Sequence, residues 1–377
     1  MRFIKIKSIS ILNNHLIDYP TPIVGYLSSF GSLSGLCLVI QVITGVLLTA
    51  HYTPHVLLAF CSIEHIMRDV NDGWLFRYYH MNGASIFFIC VYFHIYVNFS
   101  SEGDDLLWVS GLLLYFLIIA TAFIGYILPW GQISFWGATV ITNLFAAIPY
   151  IGTDIAQWLW GGFSVDNPTL NRFFSFHYVL PFIIMALILL HLSLLHLDES
   201  SSEDDEYVEF YYYYFIKDLF AFFMLMCLFS MLVFFAPDYL SHPDNYTIAS
   251  ISITPSHLVP EWYFLPFYAV LRSTPDKFGG LVLMFLILID LFFIDIIVDQ
   301  KTSNVFFNNM YNFVPSQYTL LDSNMEEDDD VGIFIILLFL GGYDIDEPYT
   351  DLASLLAFLQ FLDYFDLNID DNHNLEH

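Results

Sequence analysis

The chain has 377 residues, of which 57% are hydrophobic, 19% aromatic and only 13% charged. A water-soluble chain of this size could not hide so much apolar surface, and the apolar runs are long and unalternating, which points to membrane-crossing helices rather than a barrel. The formal net charge of −29, with ten Lys and Arg in all, excludes nucleic acid as a partner.

Residues 1–30 form a mixed, weakly basic lead-in, and no cleavable signal peptide is expected. Apolar spans follow at about 32–51, 75–99, 108–128, 173–197, 219–237, 279–298, 331–342 and 349–366. The first six are long enough to cross a bilayer. The seventh is short and follows Glu326–Asp330, so it needs its polar flank to complete a crossing. The fold class is therefore an all-α polytopic membrane protein with about eight transmembrane helices. Between spans three and four, 134–163 is apolar but broken by Pro149, Gly152, Gly161 and Gly162, which predicts short helices on the membrane surface. Pro255, Pro260, Pro266 and Pro275 rule out a clean span over 246–275. The acidic stretch 198–209 divides the chain into domains at 1–205 and 206–377. It reads as a solvated loop, or else as a docking face for a basic partner. Arg2, Lys5, Lys7, Lys217 and Lys301 fall on one side, and Arg68, Arg77, Arg172, Arg272 and Lys277 on the other, so loop charge gives no orientation. Cys37, Cys61, Cys90 and Cys227 are scattered, without CxxC or CxxCH, which disfavours a covalent haem or a zinc site.

Four histidines carry the chemistry. His80 and His94 are fourteen residues apart in span two, and His177 and His191 are fourteen apart in span four. Fourteen residues are close to four helical turns and about 21 Å of rise, so each pair lies near one face. Spans two and four run in the same direction, which pairs His80 with His177 and His94 with His191. Each pair can give both axial nitrogens to one haem iron, leaving no open position, as suits electron transfer rather than oxygen binding. Gly31 and Gly45 in span one, and Gly111 and Gly125 in span three, keep the same spacing, and glycine lets a backbone approach a flat ligand closely. The first domain is thus a four-helix bundle enclosing two b-type haems. Arg77, three residues before His80, can reach a haem propionate at the membrane edge.

The stretch Arg77-Tyr-Tyr-His80-Met-Asn-Gly-Ala-Ser, the stretch from Gly125-Tyr-Ile-Leu-Pro-Trp-Gly-Gln132 through Gly137, and Pro260-Glu261-Trp262-Tyr263 together resemble the cytochrome b family. The likeness runs from about Asn14 to Arg272 and resumes at Gly341-Gly342 and Pro348-Tyr349. The unsplit chain and the fourteen-residue second spacing favour the mitochondrial branch over the b6-type one. The resemblance implies the core subunit of ubiquinol–cytochrome c oxidoreductase, respiratory complex III, in the mitochondrial inner membrane. It implies two protohaem IX groups, with His80 and His177 on the low-potential iron near the outer face and His94 and His191 on the high-potential iron near the matrix. It implies ubiquinol oxidation at a pocket built from Tyr126, Gly137, Ile141, Pro260, Glu261, Phe264 and Tyr268. Quinone reduction would use Ser32, His196, Ser200, Lys217 and Asp218. One electron leaves for an iron–sulfur partner and the other crosses through the haems, the Q cycle, which builds a proton gradient. The implied partners are the Rieske iron–sulfur subunit, a membrane-anchored c-type cytochrome, other complex III subunits, membrane lipid and a second copy in a dimer of the complex.

The residue chemistry agrees with these roles. Glu261 sits in an apolar, proline-rich segment, where desolvation suits a carboxylate to accept a proton from quinol. His196, near the end of span four, and Lys217-Asp218, opening span five, face the same side and could meet one quinone. Some positions depart from the family pattern. Val97 stands where an arginine is usual, Ser28 and Ser29 replace aromatic and amide residues, and the segment between Gln317 and Gly341 is longer and acidic. Asp290 and Asp295 lie in span six, where a mid-helix Asp costs about 2.5–3.5 kcal/mol, so Asp290 is expected to face protein. Rival readings are a b561-type reductase, which leaves Pro260–Tyr263 without a role, a proton-coupled transporter, which would carry no haem, and a scaffolding homologue, which the intact quartet disfavours.

Overall fold

The computed structural model describes residues 20–22, 26–98, 105–196, 207–256, 258–299, 328–343 and 348–366. Twelve α-helices run through them. In order they are α1 (Phe30–Thr49), α2 (Ala59–Arg68), α3 (Gly73–Asn98), α4 (Asp105–Ile127), α5 (Gln132–Leu144) and α6 (Gly152–Trp160). Then come α7 (Asn167–Leu195), α8 (Phe210–Phe235), α9 (Leu265–Ser273), α10 (Lys277–Asp299), α11 (Asp328–Gly342) and α12 (Tyr349–Asp366). Every expected span is a helix. Among the described residues five are long and apolar enough to cross a membrane: α1, α3, α4, α7 and α8. Shorter apolar helices cover 277–289 and 332–342. Two three-residue strands, β1 (Pro20–Pro22) and β2 (Tyr207–Glu209), pair antiparallel, Thr21 opposite Val208.

Helix ends follow local chemistry. α7 starts six residues before the expected 173, because Asp166, Pro168 and Thr169 make a start signal: the Asp166 N–H donates to the Thr169 hydroxyl at 3.2 Å and the proline fits the first turn. Pro181 lies inside α7. Having no N–H, it leaves the His177 carbonyl without its intrahelical donor. α8 starts at Phe210, nine residues before the expected 219. Lys217 and Asp218 therefore lie two turns inside the helix rather than opening it, because the aromatic run 210–215 continues the helix toward its N-terminus.

By internal contacts the chain forms two units. The first holds 1–104, 114–135 and 166–251. Here α1 packs along α3, and α8, beyond the boundary expected near residue 205, packs on both. Tyr79 of α3 stacks edge-on to Phe229 at 4.9 Å, and its hydroxyl lies 2.8 Å from that of Ser230. Gly83 admits the Gln41 side chain, since a Cβ there would stand 1.9 Å from Gln41 Nε2. The turn after α4 is tied to 245–250. Trp130 adopts φ 55°, the Gln132 N–H donates to Thr247 O at 3.0 Å, and both the N–H and hydroxyl of Ser134 donate to Asn245 Oδ1 at 3.0 Å. Tyr52 donates to Leu128 O at 2.6 Å, and burial pushes its phenol above the ordinary tyrosine range.

The second unit holds 105–113, 136–165 and 252–377. Its core is Ala269 and Val270 of α9 against Ile333, Leu337 and Leu340 of α11 and Ala353, Leu356 and Ala357 of α12. Gly341 allows the close approach, since a Cβ there would fall on the Leu265 carbonyl at 2.2 Å. Arg272 donates to Leu340 O at the C-terminus of α11, where a cation is favoured. Within 134–163, Trp160 Nε1 donates to the Thr142 hydroxyl at 2.6 Å, joining α6 to α5. The side chains of Asp290 and Asp295, and the stretches 1–19, 197–206, 300–327 and 367–377, lie outside the described residues.

Candidate functional site

All four histidines belong to the first unit, and they face each other in the expected pairs. The His80 and His177 ring centres are 6.1 Å apart at 87°. Those of His94 and His191 are 6.4 Å apart at 82°. Two metal–nitrogen bonds of about 2 Å each, plus a ring radius at either end, add up to about 6 Å between ring centres. The pair spacing therefore fits one metal ion held between two imidazoles.

Hydrogen bonds set which nitrogen is available. His177 Nδ1 lies 2.9 Å from the Thr121 carbonyl, which can only accept, so Nδ1 carries the proton and Nε2 keeps its lone pair. His80 Nδ1 lies 3.0 Å from Thr44 Oγ1. That hydroxyl spends its proton on Ile40 O at 2.7 Å, so it accepts from His80 and again frees Nε2. Outer-shell bonds of this kind hold metal-ligating imidazoles. His94 has Asn98 Nδ2 at 3.3 Å from its Nδ1.

Three of the four glycines lie against histidine rings. A Cβ at Gly125 would stand 2.4 Å from His177 Cε1, one at Gly45 2.9 Å from His80 Cε1, and one at Gly31 3.1 Å from His94 Cε1. Each of the three gives a histidine ring room. Gly111 lies on α4 in the second unit. Arg77, half-buried on α3, lines a small crevice of the first unit with Tyr78, Asp238, His242 and Tyr246. Val97 occupies the last turn of α3.

The residues expected to oxidise quinol divide between the units. Tyr126 lies in the last turn of α4, in the first, while the other six belong to the second. Gly137 and Ile141 lie one turn apart on α5, with open space where a Gly137 Cβ would stand. Pro260 and Glu261 precede a 3-10 turn at Trp262–Phe264 that runs into α9. Pro266 and Phe267 are buried, while Glu261, Phe264 and Tyr268 stay half-exposed. Tyr268 donates to Leu258 O at 3.3 Å and carries the Arg272 guanidinium over its ring at 5.0 Å.

Of the residues expected to reduce quinone, Ser200 lies outside the described residues. Ser32 donates to Ser29 O at 2.8 Å. His196 caps the end of α7, with Nδ1 2.6 Å from Leu192 O. Lys217 sits over the Tyr214 ring at 5.3 Å, beside Asp218. Helix α2, the β1–β2 pair and the Thr44 and Thr121 partners of the histidines were missed in the sequence. A threonine one residue before Gly45 and another four before Gly125 is the signal that pointed to the last two.

A multi-pass all-α membrane protein with two facing histidine pairs is a class the comparisons narrow further. A family model described as cytochrome b/b6/petB matches residues 16–199, and one described as cytochrome b(C-terminal)/b6/petD matches 248–326. The chain is 48% identical to cytochrome b of Chondrus crispus over 375 residues, 96% of this chain and 95% of the relative. It is 49% identical to cytochrome b of Phytophthora megasperma over 365 residues, 94% and 92% of the two. A solved structure titled hyperthermophilic respiratory Complex III matches with TM-score 0.82 and 28% identity, covering 98% of this chain and 97% of that one. The chain belongs to the cytochrome b family and is a membrane protein of electron transport.

Proposed function

We propose that the chain is the redox core of a ubiquinol–cytochrome c oxidoreductase, a respiratory Complex III in the mitochondrial inner membrane. The observation that carries this reading is the pair of facing histidine couples, 6.1 and 6.4 Å between ring centres. When bound there, two b-type haems would supply one-electron carriers stacked across the bilayer. His80 and His177 would hold the low-potential iron, and His94 and His191 the high-potential one. Thr44 and Thr121 orient the first couple by accepting from Nδ1. Gly45 and Gly125 give its rings room, and Gly31 does so for His94. Arg77 suits a propionate.

Ubiquinol oxidation falls to Glu261 as proton acceptor, with Tyr126, Gly137, Ile141, Pro260, Phe264 and Tyr268 shaping the apolar pocket. Glu261 fits the role because Pro260 and the 3-10 turn after it fix its backbone at φ −55°, ψ 149°. Quinone reduction falls to Ser32, His196, Ser200, Lys217 and Asp218, where the imidazole and ammonium donate and the carboxylate relays protons. The first domain, 1–205, holds the haems, and 206–377 completes the quinol site. Partners are the Rieske subunit, a membrane-anchored c-type cytochrome, further complex subunits, lipid and a second copy of the complex.

The test is reduction of b-type haem by quinol in the purified complex. The proposal expects quinol to reduce it and a quinol-site inhibitor to block that reduction. Haem absorbance that quinol leaves oxidised would overturn the Q-cycle reading.

A further inference from the structure

Another histidine pair stands outside the four already described. His51 follows the end of α1, and His65 lies on α2; both are exposed. Their ring centres are 6.1 Å apart, the same separation as His80 and His177. His65 Nδ1 lies 2.9 Å from Asp69 Oδ2, one helical turn further on. When the ring is neutral, that contact puts its proton on Nδ1 and leaves the Nε2 lone pair free, the carboxylate–imidazole arrangement that orients a metal ligand.

Both elements are anchored. The residue after His51 is Tyr52, whose hydroxyl holds Leu128 O at 2.6 Å. Helix α2 buries Ala59 and Ile66 and packs on α3. Glu64 pairs with Arg68, so the nearest cation is already neutralised. Among the described residues no third His, Cys, Asp or Glu completes a cluster, so water would fill the remaining positions. Imidazole donors select zinc, copper and nickel ions over magnesium and calcium.

We propose that His51 and His65 form a surface clip for a divalent transition ion of the zinc–copper–nickel class, with Asp69 positioning His65. The clip is independent of the haem reading. Its test is titration of the purified, cofactor-loaded protein with Zn2+ by calorimetry and with Cu2+ by electron paramagnetic resonance. The wild type should bind one more equivalent per chain than His51→Gln or His65→Gln, and its copper spectrum should show coupling to two nitrogens. Asp69→Asn should bind the ion about 10–100-fold more weakly. His55→Gln should change nothing, because His55 Nδ1 already accepts the Leu57 N–H at 3.2 Å. His51, His65 and Asp69 are exposed and His55 is half-exposed, and an unchanged far-ultraviolet circular dichroism spectrum reports that each variant is folded. Equal stoichiometry and affinity in wild type, His51→Gln and His65→Gln would overturn the proposal. So would loss of the site in Cys61→Ser with both histidines intact.

Discussion

Three alanine substitutions should damage the two proposed haem sites in a graded and site-specific order. Ordinary carbon–carbon contact lies at about 3.5–4.0 Å. A Cβ at Gly125 would stand 2.4 Å from His177 Cε1 and 2.9 Å from its Nδ1, so the ring must retreat by about 1 Å or more. That retreat strains the 2.9 Å bond from Nδ1 to Thr121 O. The loss of an orienting bond costs about 10–100-fold in metal affinity, on top of about 1–3 kcal/mol for overpacking. Gly45→Ala meets His80 at 2.9 Å, and Gly31→Ala meets His94 at 3.1 Å, where a shift of a few tenths of an ångström suffices. The assay is haem content together with a redox titration of each variant. Gly125→Ala should lose most of the low-potential component, Gly45→Ala part of it, and Gly31→Ala should disturb only the high-potential component, and least. Loss of the high-potential component in Gly125→Ala, or greatest damage in Gly31→Ala, would refute the argument.

Thr44→Val should weaken the low-potential site by about 10–100-fold while leaving the other component intact, because it removes the acceptor 3.0 Å from His80 Nδ1; haem retention during dilution measures this. Glu261→Gln should cut quinol oxidation by about 10²–10⁴-fold with both haem components retained, and steady-state turnover beside an absorption spectrum separates the two effects. Thr142→Val leaves Trp160 Nε1 without its 2.6 Å acceptor and should cost about 1–3 kcal/mol, read as a lower melting temperature with unchanged haem content.

The histidine pairing was legible because helical rise converts spacing into depth: fourteen residues between His80 and His94, and again between His177 and His191, leave one sensible pairing. The spans were legible for the same reason as any apolar run of twenty residues. Other features depend on neighbours far along the chain. Ten-residue α2 alternates buried Ala59 and Ile66 with exposed Cys61, His65 and Arg68, too short a pattern to separate from a loop. The β1–β2 pair joins Pro20–Pro22 to Tyr207–Glu209, and no local signal marks three residues containing two prolines as a strand. The glycines were found by spacing, but that Gly31, Gly45 and Gly125 stand against histidine rings on facing helices needs coordinates. The start of α8 was misplaced because the apolar span was read from about 219, whereas the aromatic run before Lys217 continues the helix back to Phe210.

The central claim is that two separate metal ions are each held by one of these histidine couples. The most direct measurement is the electron paramagnetic resonance spectrum of the oxidised, purified protein, compared with His80→Asn and His94→Asn. The account predicts two low-spin ferric signals in the wild type, with His80→Asn abolishing one and His94→Asn the other. A single signal in the wild type, or both signals surviving either substitution, would contradict it.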